Sequence, residues 1–255
     1  MTGVRVAVNG RLLGAEPGLP VQTRYGHFTG LQVRNRRTRG LSLHFARLDA
    51  ANRELFGVAL DREAVLDSIR AVPGDDIADA SLRVYVLEAE RPEVIATASP
   101  PVEVPDAPQG LKPVVYQRFL PHIKQAARFA QTYLRRQVAR EGFGEALLTT
   151  ADGLISEGSI TNLGCFDGDR VVWPDAPMLR GTTMQLLEGV FSAEGVAQER
   201  RPLKVADLPR YGLVFLTNSR GVVVVDRVDD QPLNGDETLR RRLVACYTGV
   251  PGEPL

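Results

Sequence analysis

The stretch "GLISEGSITNLGCF", Gly153 to Phe166, sets Glu157, Gly158, Ser159, Thr161 and Asn162 between two runs that otherwise read as strand. Side chains that bond their own backbone favour turns over ladders, so the reading is strand, tight turn, strand. A turn explains the glycine. A carboxylate at its entrance needs a further reason, because an uncompensated buried charge is costly. Other short strands crowd around it: "EALLTT" before, "RVVWP" after, then "GLVFLTN" and "GVVVVDRV". A helix from about Gly181 to Glu194 and a terminal helix from about Asp236 are interspersed with them, which is an α+β pattern.

Upstream, "KQAARFAQTYLRRQVAREG", Lys124 to Gly142, carries Ala126, Ala130, Leu134 and Val138 at four-residue spacing. That spacing predicts a helix with one apolar stripe, capped at its C-terminus by Gly142. Before it lies "SPPVEVPDAPQGLKP", Ser99 to Pro113, whose prolines disfavour both helix and central strand. The expected division is an N-terminal α+β domain over 1–110, a linker over 111–120 and a C-terminal α+β domain over 121–255. In the first third, "VRVAVNG" and "FTGLQVR" read as strands, and "HFARLDAANRELFG" as a helix ended by Gly57. "DREAVLDSIRAV" reads as a second helix, and "SLRVYVLEAE" and "EVIATAS" as strands paired across the "RPE" turn.

Composition narrows the function. Lys plus Arg and Asp plus Glu are equal at 31 each, so no global field draws the chain to nucleic acid or membrane. The basic tract "RNRRTRG" between two strands reads as a solvated hairpin loop. No apolar run approaches the roughly 18 residues of a membrane span, and "MTGVRVAVNGRLL" lacks the pattern of a secretory leader. With two cysteines, and with His27, His44 and His122 as the histidines, neither a disulfide framework nor a metal site is expected. The expectation is a cytoplasmic protein without metal. No dinucleotide fingerprint, phosphate loop or Gly-x-Ser-x-Gly elbow is present.

Lysine is scarce against arginine: Lys112, Lys124 and Lys204. Lys124 stands at the start of the expected helix, where a cation opposes the dipole, and Glu157 follows 33 residues later. On these residues alone, Lys124 reads as a surface cation or as a functional amine.

The whole chain resembles the class IV aminotransferase family, the fold-type IV enzymes that use pyridoxal 5′-phosphate. "EALLTTADGLISEGSITNLGCF" is similar to the family signature, in which a strand and turn lead into Glu-Gly-Ser-x-x-Asn. The resemblance implies two α+β domains with the cofactor between them, and a homodimer. It implies Lys124 as the lysine that carries the cofactor and transfers protons, and Glu157 as the partner of the ring nitrogen. "HFARLDAAN" resembles the family's His-x-x-Arg-Leu helix, which implies Arg47 as the phosphate anchor. "LRGTTMQLL" resembles the segment whose amides hold the same phosphate, implying Gly181, Thr182 and Thr183, and "FLTNSRGV" a later phosphate-side loop with Thr217, Asn218 and Ser219. Asn162 matches the signature asparagine, with an orienting role.

Two departures bear on substrate. Arg128 stands where many aminotransferases carry tyrosine, as the lyase branch often has it, and is expected to contact the cofactor phenolate oxygen. "RYGHFTGLQV" is shorter than the usual pocket segment, leaving Tyr25, Thr29 and Arg83 as the pocket candidates. The implied function is amino transfer between an amino acid or amine and a keto acid. The alternative is β-elimination of the aminodeoxychorismate lyase kind, which releases pyruvate. A binding protein that keeps the fold without the chemistry is a third reading, against which Lys124 and Glu157 both stand.

Overall fold

A computed structural model describes residues 5–12, 25–74 and 77–255. The chain divides into two compact units: residues up to Glu103 with Ile123–Ala127 and Pro251–Leu255, and Val104–His122 with Arg128–Val250.

The first unit contains strands β1 (Arg5–Val8), β2 (Arg11–Leu12), β3 (Gly26–Arg34) and β4 (Arg37–Thr38), then helices α1 (Leu41–Phe56) and α2 (Arg62–Ala71). Strands β5 (Ala80–Leu87) and β6 (Glu93–Ser99) follow and pair antiparallel, with Val84 opposite Ala96. Both helices end and begin as local chemistry dictates. Gly57 takes a left-handed conformation and donates its N–H to the Arg53 carbonyl, and the Asp61 carboxylate caps the Ala64 N–H at 2.9 Å. On α1 the buried positions His44, Phe45, Leu48, Ala51 and Asn52 form one helical face. Phe45 and Leu48 pack there with Leu31 of β3, Leu82 and Val84 of β5, and Val65 and Ile69 of α2. Each such burial is worth about 1.5–3 kcal/mol, which seats α1 on the sheet and fixes where its polar residues stand.

The second unit begins with β7 (Gln109–Val115), α3 (Phe129–Arg140), β8 (Glu145–Thr149), β9 (Ile155–Gly158), β10 (Asn162–Asp167) and β11 (Arg170–Pro174). It continues with α4 (Thr182–Ala193), β12 (Gln198–Arg201), β13 (Leu213–Asn218), β14 (Gly221–Val228), β15 (Gln231–Pro232) and α5 (Glu237–Thr248). Its sheet runs β12-β11-β10-β13-β14-β7-β8-β9, with β15 paired to β14. Alternation along β10 sends Cys165 into one core with Leu147 and Leu216, and Phe166 into another. In that second core Phe166 meets Phe191 of α4 and Phe215 of β13. The chain then returns to the first unit as β16 (Glu253–Pro254), which pairs with β4, and Glu253 accepts the Leu41 N–H at 2.7 Å.

Three boundaries differ from those read in the sequence. Much of the expected linker over 111–120 is strand β7, parallel to β8 with Leu111 opposite Glu145. Leu111 is fully buried, and its carbonyl accepts the Asp229 N–H at the end of β14. Pro113 lies beyond the last residue paired with β14, so its missing N–H costs no ladder bond on that side. The C-terminal residues Pro251–Leu255 belong to the first unit, not to a domain over 121–255. Finally, the helix expected from Lys124 starts at Phe129. Residues 123–127 pair with β3 instead: Phe28 donates to the Lys124 carbonyl at 2.9 Å and Ala126 to the Gly26 carbonyl at 3.0 Å. An open sheet edge satisfies these backbone groups, and the alanine stripe offers too little burial to compete.

Candidate active site

In the first unit β3, α1 and residues 123–127 bring Lys124, Arg47, Thr29 and His44 into one cluster. The Lys124 ammonium lies 5.0 Å from the centroid of the Phe28 ring, which stacks on Tyr85. An Arg47 guanidinium nitrogen donates to Thr29 Oγ1, and Thr29 Oγ1 lies 2.6 Å from His44 Nδ1. His44 is held well below the usual histidine range, by burial first and then by the charges of Arg47 and Lys124. His27, on the same strand as Thr29, is lowered to about 4, chiefly by burial, against a raising contact from Asn52. Both imidazoles are neutral at pH 7, so the cluster is cationic.

In the second unit the signature turn brings Glu157 inside, 4% exposed. Its Oε1 accepts from Arg118 Nη1 at 3.4 Å and from the Leu179 N–H at 3.3 Å. The turn is fixed from behind by a second buried carboxylate, Glu145 on β8. Glu145 accepts from the N–H of Ala146 and Ser159 at 2.9 and 3.2 Å, from the Ser159 hydroxyl, and from Thr161 Oγ1 at 3.3 Å. Burial pushes its carboxyl up, against the opposing pull of the Ser159 hydroxyl and the Arg135 charge. Gly158 belongs in that turn, because a Cβ would stand 2.0 Å from Thr161 Oγ1.

Asn162 ties the turn to the start of α4. Its Nδ2 donates to the Leu179 carbonyl at 2.7 Å and its Oδ1 accepts the Gly181 N–H at 3.0 Å. A Cβ at residue 181 would lie 2.2 Å from that Oδ1, so the approach requires glycine. Gly181 supplies no side-chain cap to α4. Thr182 and Thr183 are buried there, and Thr183 Oγ1 donates to the Asn218 carbonyl at 2.6 Å. Thr217, opposite Asn162 in the sheet, has a buried hydroxyl with no hydrogen-bond partner among the described residues.

The residues expected from sequence thus fall into two groups. Arg47, Lys124 and Thr29 are assembled in the first unit, and Glu157, Asn162, Gly181, Thr182, Thr183 and Asn218 in the second; Ser219 follows β13. Arg128 caps the start of α3, its carbonyl accepting the Thr132 N–H at 3.0 Å. Tyr25 is 53% exposed and edges onto Phe56, and Arg83 is half-buried on β5 opposite Gly30. Thr29 is buried, with its hydroxyl engaged by Arg47 and His44. Sequence reading misses Arg118, which sits in a loop without periodicity, and Glu145, which looks like the first residue of an ordinary strand. His44 is within its reach, as the first residue of the quoted His-x-x-Arg.

Among the described residues no group of three or more His, Cys, Asp or Glu side chains could hold a metal ion, and no helix is long and apolar enough to cross a membrane.

This architecture is that of the fold-type IV enzymes. A PLP-bound hypothetical aminotransferase from Mycobacterium tuberculosis superposes with a TM-score of 0.82 over 96% of this chain and 98% of that one, at 21% identity. The 4-amino-4-deoxychorismate lyase of Pseudomonas aeruginosa gives 0.78 over 93% and 96%, at 26% identity. The amino-transferase class IV family model matches residues 26–228, and the chain belongs to that family. A bifunctional aminodeoxychorismate lyase / D-amino acid transaminase of Mycobacterium tuberculosis is 38% identical over 82 residues, which are 29% of this chain and 28% of that protein. A "probable branched-chain-amino-acid aminotransferase" of Synechocystis is 23% identical over 128 residues, 49% of this chain and 42% of its own length. These matches span less than half of either relative.

Proposed function

We propose that the chain is a pyridoxal-phosphate-dependent aminotransferase that moves an amino group between an amino acid or amine and a keto acid. The observation that carries this reading is the buried Glu157 carboxylate, ion-paired with Arg118 inside the family's signature turn. A turn that needed only a polar residue would leave its acid in water.

The residues present fit the cofactor. The start of α4 lacks a side-chain cap, Thr217 keeps an unpartnered buried hydroxyl, and Arg47 supplies a guanidinium. Each is a donor that a phosphate can use, and the helix dipole favours its charge. When bound, pyridoxal phosphate supplies an electron sink for negative charge at the substrate α-carbon. Glu157, whose Oε1 accepts from Arg118 Nη1 at 3.4 Å, would hold the proton on the ring nitrogen. Lys124 would hold the cofactor and, once displaced by the substrate amine, its free amine would take the proton from the substrate α-carbon and return it on the cofactor side. Arg47 and the α4 amides are the groups that would hold the phosphate. Asn162 keeps the turn and the α4 start in register. Arg128 is assigned to the cofactor phenolate oxygen, and Ser219 to the phosphate side.

The second reading is β-elimination with release of pyruvate, supported by the 38% identical segment of the bifunctional lyase/transaminase and by Arg128. A homodimer completes the proposal. Phe119 and Phe129 are 78% and 83% exposed, and Phe129 stacks on the exposed Tyr133 along α3, which is apolar surface suited to a second copy. Buried unpaired Cys165 and Cys246 suit a cytoplasmic setting.

The test is single-turnover spectroscopy of the pure protein with a panel of amino donors, beside a pyruvate assay with aminodeoxychorismate. Conversion of the bound cofactor to its amine form by donor alone is the expected result. Catalytic pyruvate release with no such conversion from any donor establishes the lyase instead.

A further inference from the structure

Arg47 does not stand in its place by its own stiffness. Its side chain is long and rotamer-rich, and α1 fixes only its Cα. The guanidinium is engaged by a short polar chain across the first unit, from Arg47 Nη2 to Thr29 Oγ1 to His44 Nδ1.

The donors and acceptors give this chain one direction. A guanidinium has no acceptor, so Thr29 Oγ1 must accept from Arg47 and donate its own proton elsewhere. The remaining neighbour is His44 Nδ1 at 2.6 Å, which must therefore accept, placing the ring proton on Nε2. Arg47 Nη2 also lies 3.4 Å from that same Nδ1, so a protonated Nδ1 would set donor against donor. On the other side, Thr29 and His44 back onto an apolar wall that includes Leu41, Phe45, Val65 and Val84. The Leu41, Phe45, Val65 and Val84 side chains offer no acceptor to compete for the hydroxyl. The charges facing His44 are cationic, Arg47 from α1 and Lys124 from residues 123–127, and with burial they keep the imidazole neutral.

We propose that Thr29 and His44 are positioning residues that hold the Arg47 guanidinium for the cofactor phosphate through the Arg47–Thr29–His44 hydrogen-bond chain. The inference rests on Arg47 being the phosphate anchor. It moves Thr29 from the substrate pocket, where the sequence places it, to the support of a binding group. It also gives the histidine of His-x-x-Arg a role, as an uncharged acceptor that adds no repulsion beside two cations.

The experiment titrates the apoprotein with pyridoxal 5′-phosphate and, separately, with pyridoxal, following fluorescence quenching. The ratio of the two affinities isolates the phosphate. Thr29→Val removes the hydroxyl at constant shape in a strand that tolerates β-branching, and should lower that ratio about tenfold. Thr29→Ser, which restores the hydroxyl, should keep it within about twofold. Arg47→Ala should lower it at least as far as Thr29→Val does. In the wild type the ratio should fall on acidification as His44 takes a proton, whereas in Thr29→Val, with the chain already cut, it should fall less. Should Thr29→Val not fold, Thr29→Ala takes its place. A wild-type ratio in the hydroxyl-less variant, with the ratio lost in Arg47→Ala, overturns the proposal and leaves the anchor standing. An unchanged ratio in Arg47→Ala removes the anchor itself, and the proposal with it.

Discussion

In the first unit Arg47 meets His44 and Thr29 at sequence separations of 3 and 18 residues, one on its own helix and one on the strand that packs beneath it. In the second, Glu157 meets Arg118 at a separation of 39 and the Leu179 amide at 22. The chemistry of the two charges accounts for the contrast. A guanidinium stays protonated in any protein setting, so it needs orientation, and a neutral hydroxyl and imidazole suffice. A buried carboxylate must be compensated or it gives up its charge, and compensation comes from wherever the fold can deliver a cation or several donors. Glu157 draws on Arg118, while its neighbour Glu145 draws on the backbone and hydroxyls of the turn. Thr29 and His44 orient the one charge, while Arg118 and the Leu179 amide compensate the other.

The strongest way to break this comparison is at Lys124. Lys124→Ala should lower turnover by at least about 10³-fold and abolish borohydride-reducible attachment of the cofactor. The fold should survive, because alanine keeps the backbone carbonyl through which residue 124 bonds β3. A retained adduct on Lys112 or Lys204 would sink the assignment. Next comes Glu157→Gln, which keeps the size but cannot hold the ring-nitrogen proton as a carboxylate does. Turnover should fall about 10²–10³-fold, with cofactor affinity changing much less. Near-normal turnover would reduce Glu157 to a turn residue.

Local assembly is also what makes the first unit legible. The helix 41–56 is marked by its apolar face and Gly57, the next helix by Asp61, and the β5–β6 pair by alternation on either side of a short turn. Glu157 is conspicuous because a turn does not need an acid. Arg118 is not, since nothing in "YQRFLPH" separates a buried arginine from a solvated one before its partner is known. Periodicity at Ala126 and Ala130 puts Lys124 on a helix because it is blind to a distant upstream strand edge that bonds the same backbone. The Pro-rich tract reads as linker for a like reason: a proline is harmless in a strand when its missing donor faces no neighbour. Glu145 is invisible too, as its partners lie 14 to 16 residues downstream, across the turn it supports.

Glu145 sharpens the contrast as a matter of stability. Glu145→Ala should cost roughly 2–3 kcal/mol, because the Ser159 and Thr161 hydroxyls and the amides of Ala146, Ser159 and Ile160 lose this acceptor. Urea unfolding at pH 7 measures it as a shift in midpoint at constant slope. If Glu145→Ala matched the wild type, the turn would be held by its own backbone alone.

The smallest expected effect tests whether the histidines of the first unit are neutral. His27 Nε2 faces Asn52 Oδ1 at 3.4 Å, and the Asn52 amide nitrogen is committed to the carbonyls of Val58 and Ala59. The asparagine therefore presents its oxygen, and Nε2 is the donor. With its pKa lowered to about 4 from 6.5 in the unfolded chain, His27 binds fewer protons folded than unfolded between those values. Its contribution is complete above pH 6.5 and is lost as pH falls toward 4, so stability should drop by about 2 kcal/mol between pH 7 and pH 5. His44 works in the same direction. Glu145, whose carboxyl is raised, works in the opposite one, and Glu237, held at about 2 by Arg240 and Arg241, titrates below the window. His27→Gln keeps a donor toward Asn52 but cannot titrate, and comparison with the wild type cancels these other groups. The difference in unfolding free energy between wild type and His27→Gln should therefore shift by about 2 kcal/mol from pH 7 to pH 5, in favour of the variant at the acid end. A constant difference across that range would mean that His27 titrates alike in both states, and that the buried face of α1 admits water.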